Sequence, residues 1–181
     1  MLVRYTRKHP LLWLDSSEVS VNDLDENDSK LRELIIEIRG ARSKQRKLKA
    51  LLEKYENEYG PQAEKRVLEI IAEDTKNAWV GVAKKVEKNN IQGILDTLWS
   101  SFEQIGGEFT VERTEDSAQI HCTKCPMADT YLKIGKPELG LIFHCSTDPH
   151  IVAGFNPKMK FRITKRLMNG DSCCDHYYSL R

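Results

Sequence analysis

The sequence has no uninterrupted apolar run near the roughly 20 residues that span a bilayer. Its first 20 residues also lack the apolar core of a signal peptide, because charged residues and a proline interrupt them. A surplus of one charge sign is missing too, since 28 Lys and Arg residues face 27 Asp and Glu residues, so no overall field attracts nucleic acid or anionic membranes. We therefore expect a cytoplasmic protein with no membrane or nucleic-acid partner, which binds a small molecule at a local site.

Cysteine is missing before residue 122, and the five cysteines share the last third of the chain with four of the five histidines. The cysteines are Cys122, Cys125, Cys145, Cys173 and Cys174. An odd number cannot all pair within one chain, and a reducing cytosol keeps thiols reduced, so a disulfide framework is disfavoured. A metal site, a nucleophilic thiol site and ordinary core cysteines remain as alternatives.

The length of 181 residues fits one domain with a full hydrophobic core. We predict an N-terminal arm over residues 1–23 and a single domain over 24–181. Its helical part covers 24–105 and its mixed strand and helix part covers 106–181. The sequence is compatible with a homo-oligomer.

Hydrophobic spacing predicts the elements of this domain. Residues 31–59 have helical spacing with a break near Gly40, and two further helices follow over 61–89 and 91–105. A hairpin, two short helices over 126–155 and a final hairpin turning at "NGD" complete the chain. Helices followed by antiparallel strands indicate an α+β fold, with N-terminal helices packed on an antiparallel sheet.

These elements predict where the cysteines lie. Cys122 ends a strand, Cys145 lies within a helix, and Cys125 sits at a helix N-terminus, whose dipole favours a reactive thiolate. Strand alternation puts Cys174 and His176 on one face and Cys173 on the other. We therefore predict that Cys125, Cys145 and Cys174 share a site between the last helix and the last strand, with Cys125 reacting fastest.

A metal is one use for such a site. Cys122 and Cys125 form one C-x-x-C pair, which is half of a zinc signature, whereas the vicinal Cys173 and Cys174 have the wrong spacing for the other half. The predicted ligand set is Cys122, Cys125, Cys145 and Cys174, for zinc or, second, an iron–sulfur cluster. The competing interpretation is that these thiols simply pack in the core.

Several other features favour structural roles. The basic stretch "RGARSKQRKLK" starting at Arg39 could bind phosphate, but it lacks aromatic residues and precedes several glutamates, so we predict a solvated helix face. Asp74 lies on an apolar helix stripe and is expected at its rim. Trp79 and Trp99 are expected to fill the core.

The C-terminal pattern resembles a known family. The matching features are Cys125-Pro126, "KPELGLIF", Cys145, Asn156-Pro157, and Gly170-Asp171 followed by Cys174. Over roughly residues 59–181 the chain resembles the L-2-amino-thiazoline-4-carboxylic acid hydrolases and, more distantly, the 4-vinyl reductase type of small-molecule-binding domain. The resemblance implies a hydrolase acting on C–N or C–S ring bonds, which opens a thiazoline by water addition to give an N-carbamoyl derivative of cysteine.

Such chemistry needs a nucleophile, a proton carrier and groups that bind the substrate. The candidates are Cys125 or Cys174 for attack, His176 or Asp171 for proton transfer, Asn156 for the amidine, and Arg162 or Arg166 for a carboxylate. Asp171 follows Gly170 in a turn, so a purely structural role is an equal alternative. The competing function is a non-catalytic binding or sensing module that holds a metal or small ligand through the cysteine cluster.

Overall fold

The computed structural model of the protein describes residues 26–42 and 44–180, so the predicted arm of residues 1–23 lies outside it. The helices are α1 (Glu26–Gly40), α2 (Gln45–Glu58), α3 (Glu64–Ala83), α4 (Ile91–Ile94), α5 (Ser100–Gln104), α6 (Pro126–Lys133), α7 (Pro137–Phe143) and α8 (Asp148–Phe155). The strands are β1 (Glu108–Arg113), β2 (Ser117–Lys124), β3 (Lys160–Arg162) and β4 (Cys174–Ser179). A π-helical segment (Leu95–Trp99) joins α4 to α5, and 3-10 turns occupy Pro61–Ala63, Cys145–Thr147 and Leu167–Asn169.

The strands form a single antiparallel sheet in the order β1-β2-β4-β3. In β2, Ala118, Ile120 and Cys122 are buried and alternate with more exposed neighbours, as expected for a strand with one covered face. The predicted α+β class is confirmed. The hairpin predicted at "TEDS" is confirmed as well, because β1 pairs with β2 across that turn.

Buried hydrophobic residues of the described chain form two clusters. The first cluster joins α1, α2, the first half of α3, α6 and α7. The second cluster joins the end of α3, the segment 91–104, α8 and the sheet. Cys125 and Leu167 pack against both clusters, so these two residues mark the seam between them. The single domain over residues 24–181 stays a prediction.

The tryptophans predicted to fill the core do so, with exposed fractions of 5% each. Trp79 contacts the ring of Phe155, and Trp99 donates a hydrogen bond from its indole nitrogen to the Tyr178 hydroxyl at 3.2 Å. Trp99 ends the π-helical segment, which interrupts the predicted continuous helix over 91–105. Such a segment inserts a residue into the helical turn and is frequent at functional sites.

Close contact between α3 and α8 depends on Gly154. A Cβ atom at this position would collide with the carbonyl oxygen of Lys76 on α3. Glycine therefore allows the two helix backbones to approach closely, which fixes α8 against the centre of the molecule.

Two predicted elements were wrong. Cys145 lies in a 3-10 turn rather than a helix, because the helix leaves helical geometry at His144, and α8 begins with Pro149 in its first turn, where a missing N–H is tolerated. The final hairpin has no tight turn at "NGD", since residues 163–173 connect β3 to β4. There Gly170, with a φ of 84°, follows the turn Leu167–Asn169.

None of the helices formed by residues 26–42 and 44–180 combines the length and the apolar character needed to cross a bilayer.

Candidate active site

Cys122 and Cys174 lie opposite each other on neighbouring strands. They are paired residues in the antiparallel register of β2 and β4, and their exposed fractions are 2% and 8%. Cys174, His176 and Tyr178 are all buried along β4, which agrees with the predicted alternation. Cys173 precedes this strand and belongs to neither hydrophobic cluster.

The sulfur of Cys174 accepts a backbone hydrogen bond and lies beside a second thiol. The backbone N–H of Leu167 donates to it at 3.2 Å, and the thiol of Cys122 lies within hydrogen-bonding range. The bond from Cys122 lowers the pKa of Cys174 to about 7, although burial alone would raise it. The Leu167 amide and the charge of His176 lower this pKa as well. These contacts therefore favour the thiolate form of Cys174.

Cys122 is the thiol that keeps its proton. Its hydrogen bond to Cys174, followed by burial, raises the pKa of Cys122. Its sulfur also lies 3.3 Å from the carbonyl oxygen of Lys124, which can accept the same proton. When the pair loses one proton, the negative charge is favoured on Cys174, and a second charge in this buried position would repel the first.

Cys125 does not have the acidity that its position predicted. It precedes α6, and the backbone amides of Ala128 and Met127 favour its thiolate, but burial is stronger and raises the pKa of Cys125 to about 11. Burial raises the pKa of Cys145 as well, and the charge of Asp148 adds to this effect. Desolvation therefore outweighs the helix terminus at Cys125, which argues against the predicted fast reaction of this thiol.

The charges of Cys125, Cys145 and Cys174 nevertheless act on one another, which places the three sulfurs in one region of the molecule. Cys125 and Cys145 are partly exposed, whereas Cys174 is buried. The region lies at the seam between the two hydrophobic clusters. It is bordered by β4 and by the start of α8, the last helix.

His176 forms the second functional group of this region. Its Nε2 atom lies 3.5 Å from an oxygen of Asp148, and its ring contacts the Trp99 ring with centroids 4.9 Å apart. Its Nδ1 atom is buried and has no hydrogen-bond partner among the described residues. With Asp148 orienting Nε2, Nδ1 is the nitrogen that can accept or deliver a proton.

Asp148 was missed from the sequence. "TDP" carries a visible signal for a helix start, an acidic residue before a first-turn proline. That signal predicts where a helix begins, but not which residue Asp148 contacts. The contact with His176 arises from the packing of α8 across the sheet, which local sequence does not specify.

The two candidate arginines lie on different faces. Arg166 is partly exposed, its buried Nε atom has no hydrogen-bond partner among the described residues, and its charge acts on Cys145. Arg162 is exposed on β3, and its guanidinium lies 5.5 Å from the ring centre of Tyr177. Tyr177 alternates with the buried residues of β4, so Arg162 faces away from the cysteines.

The remaining predicted site residues hold loops. Asn156 donates from its side-chain amide to the carbonyl of Asn89 and accepts from the backbone N–H of Lys158. Asp171 is exposed and accepts a hydrogen bond from the backbone N–H of Arg166 at 2.7 Å. The structural alternative for Asp171 thus describes its contacts, and the side-chain amide of Asn156 is engaged by Asn89 and Lys158.

The predicted metal site has no support. In the described parts of the chain, no set of three or more His, Cys, Asp and Glu side chains is arranged to hold a metal ion. Cys122 and Cys174 instead direct their sulfurs at each other and at backbone groups. The predicted set of four cysteine ligands, for zinc or an iron–sulfur cluster, therefore has no support in these contacts.

Comparison with known proteins agrees with the resemblance found in the sequence. Residues 40–178 match the family model described as L-2-amino-thiazoline-4-carboxylic acid hydrolase. No curated protein and no solved structure is significantly similar to the chain. The matched range includes the cysteines and the His176–Asp148 pair, as well as most of the helical part. The chain therefore belongs to the L-2-amino-thiazoline-4-carboxylic acid hydrolase family.

Proposed function

We propose that this protein is a thiol hydrolase that opens the ring of a small 2-amino-thiazoline carboxylate, with Cys174 as its nucleophile. One observation carries the proposal: Cys174, with its pKa lowered to about 7, shares the buried face of β4 with His176, whose partner is Asp148. Nucleophile, proton carrier and orienting carboxylate are the parts that acyl-transfer-type chemistry requires. Family membership supports the ring type.

The first step is attack by the Cys174 thiolate on the ring carbon that lies between sulfur and nitrogen. A bond forms between the Cys174 sulfur and this carbon as the electrons of the C=N bond move to nitrogen. Collapse of the tetrahedral intermediate breaks the bond from carbon to the ring sulfur. The departing sulfur takes a proton from the imidazolium of His176, leaving a neutral imidazole and an isothiourea linked to Cys174.

The second step consumes water. Neutral His176 accepts one proton as the water oxygen attacks the isothiourea carbon, and the other proton of water reaches the amidine nitrogen. The bond to Cys174 breaks and regenerates its thiolate and the imidazolium. One water molecule is consumed in total, and the product is an N-carbamoyl derivative of cysteine with a free thiol.

Arg166 is the group we assign to the substrate carboxylate. Its positive charge acts on Cys145, and the backbone N–H of the following residue, Leu167, donates to the Cys174 sulfur. Asp171 holds the backbone of Arg166 through its N–H. A guanidinium matches a carboxylate with two parallel hydrogen bonds, so binding at Arg166 would orient the ring toward Cys174.

The test compares Cys174→Ser with its neighbour Cys173→Ser as the matched control. Each variant is incubated with 2-amino-thiazoline-4-carboxylate, and the carbamoyl product is quantified by mass spectrometry. We expect C173S to retain the wild-type rate and C174S to lose at least about 10³-fold, because a nucleophile has been removed. Wild-type activity in C174S, or no product from the unmodified protein, would refute the proposal.

A further inference from the structure

Buried polar atoms without partners mark a second region of the described chain. Two of these atoms, on Arg166 and His176, belong to the thiol site. Two others are the hydroxyl of Tyr131, on α6 in the first cluster, and the Nε2 atom of His144, which ends α7. The two rings are in edge contact, with centroids 5.3 Å apart. Tyr131 has an exposed fraction of 0%, so bulk water does not reach its hydroxyl.

Positive charge surrounds this pair. Arg39, at the end of α1, and Arg42, just after it, both act electrostatically on His144, and Arg39 also acts on Tyr131. α1 packs against α7, which brings these side chains to the two rings. No carboxylate of residues 26–42 and 44–180 lies within ion-pair distance of Arg39. The nearby Asp74 influences Arg39 but is engaged by Arg32.

This arrangement corrects the prediction for the basic stretch. Arg46, Lys47 and Lys49 are exposed, as expected for a solvated helix face. Arg39 and Arg42 are instead only partly exposed, and burial lowers the pKa of both guanidinium groups. The first two arginines of the stretch therefore belong to a different environment from the rest.

The region has a surplus of hydrogen-bond donors over acceptors. Arg39 offers only donors, and the hydroxyl of Tyr131 has a proton and no acceptor for it among the described residues. Burial, together with the charges of Arg39 and Arg42, lowers the pKa of His144 to about 3, so its ring is neutral at physiological pH. A neutral ring can present N–H from Nε2 to an incoming acceptor without adding a third charge.

We propose that Arg39, Tyr131 and His144 form a binding site for a small oxyanion, a carboxylate or a phosphate group, with Arg42 contributing positive charge. An oxyanion supplies the acceptor atoms that the hydroxyl and the imidazole lack, and a guanidinium binds carboxylate or phosphate oxygens in pairs. Arg39 and Arg42 are partly exposed, so an anion approaches from their side, and it reaches the buried Tyr131 hydroxyl and His144 Nε2 when the two rings move apart. The site does not depend on Cys174 being a nucleophile.

Thermal unfolding of the full chain tests the proposal. Inorganic phosphate in one series and acetate in another replace chloride at constant ionic strength, for the wild type, Arg39→Gln and the exposed control Arg46→Gln. We expect at least one of the two anions to raise Tm by about 3–6 °C at ten times its Kd. R39Q should need at least about tenfold more anion for the same shift, whereas R46Q should respond like the wild type. The series that gives the shift identifies the group as phosphate or carboxylate.

Tyr131→Phe keeps the test decisive if R39Q folds poorly. This variant removes only a buried hydroxyl that has no partner among the described residues, so its Tm without added anion should equal or exceed that of the wild type. Its affinity for the anion should nevertheless fall severalfold. The proposal is overturned if neither anion raises Tm beyond chloride, or if Y131F binds the anion as tightly as the wild type.

Discussion

At the scale of single residues, two cysteines show how environment decides reactivity. Cys125 has the better backbone position, before a helix, yet burial raises its pKa to about 11. Cys174 lies in a strand and is buried too, but a neighbouring thiol and a backbone N–H donate to its sulfur, and its pKa falls to about 7. Backbone N–H groups favour both thiolates, so the difference lies in the Cys122 thiol beside Cys174 and in the dominant desolvation of Cys125.

Asp148 yields a prediction in which two rates change in opposite directions. Its negative charge disfavours the Cys174 thiolate, so Asp148→Asn should lower that pKa further and speed alkylation of Cys174 near pH 6. The same change removes the partner of His176 Nε2, so hydrolysis should fall by about 10²-fold or more. Alkylation is followed by peptide mass spectrometry and hydrolysis by product formation.

The exposed Asp129→Asn on α6 serves as the control and should leave both rates unchanged. Slower alkylation together with slower hydrolysis in D148N would mean that the substitution disturbs the fold of the site. Faster alkylation with unchanged hydrolysis would remove Asp148 from the mechanism.

At the scale of elements, the connection from β3 to β4 presents the site. It carries Leu167, which donates to the Cys174 sulfur, and it is held by Asp175 from the outer face of β4. The carboxylate of Asp175 accepts from the backbone N–H groups of Thr164 at 2.7 Å and Lys165 at 2.6 Å and from the Thr164 hydroxyl. The Asp175 carboxylate therefore holds the connection between β3 and β4 in place, as a tight turn does in a shorter hairpin.

Asp175→Ala should destabilise the fold by about 1–3 kcal/mol at pH 7, because the loop amides lose a charged acceptor. The hydrogen bonds from Thr164 and Lys165 overcome burial and lower the pKa of Asp175 to about 2, from 3.8. A carboxyl with a lowered folded-state pKa stabilises the protein above pH 4, and this contribution is lost as the pH falls toward 2. Urea unfolding at several pH values measures the difference from the wild type.

Glu112→Ala, on the exposed side of β1, provides the control and should change stability by less than about 0.5 kcal/mol. A destabilisation by D175A that persists unchanged at pH 2 would show that the carboxylate charge is not what holds the connection.

The sequence predicted the elements better than their contacts. Hydrophobic spacing located the helices and the hairpin of β1 and β2, and the alternation along β4 correctly put Cys174 and His176 on its buried face. It failed at residues 163–173, where the geometry depends on Asp175 bonding to loop amides ten residues earlier. It also missed Asp148, because its contact with His176 joins α8 to β4 across the fold and follows from no local pattern.

At the scale of the whole molecule, the two hydrophobic clusters meet where the cysteines lie. α3 contributes to both, with Val67 and Ile71 in the first cluster and Trp79 in the second. Leu167 packs against both clusters while its N–H donates to Cys174. The site is therefore placed by contacts from both halves of the described chain, which explains why a short C-terminal motif would not suffice to build it.

This shared placement predicts that the described chain unfolds as one unit. In a Trp13→Phe background, tryptophan fluorescence reports Trp79 and Trp99 in the second cluster, while far-ultraviolet circular dichroism reports all helices. Both signals should change at the same urea concentration, as in two-state unfolding. Separate transitions would show that the two clusters are independent units and would refute the single domain predicted over residues 24–181.

The central claim is that the Cys174 thiolate performs the hydrolysis, and limiting alkylation tests it most directly. The native protein is treated with less than one equivalent of iodoacetamide near pH 7, and the labelled peptides and the remaining thiazoline hydrolysis are measured on the same sample. We predict that the label falls first on Cys174, that the labelled fraction equals the fraction of activity lost, and that substrate slows both. Label on Cys125 before Cys174, or full activity after Cys174 is labelled, would contradict the account.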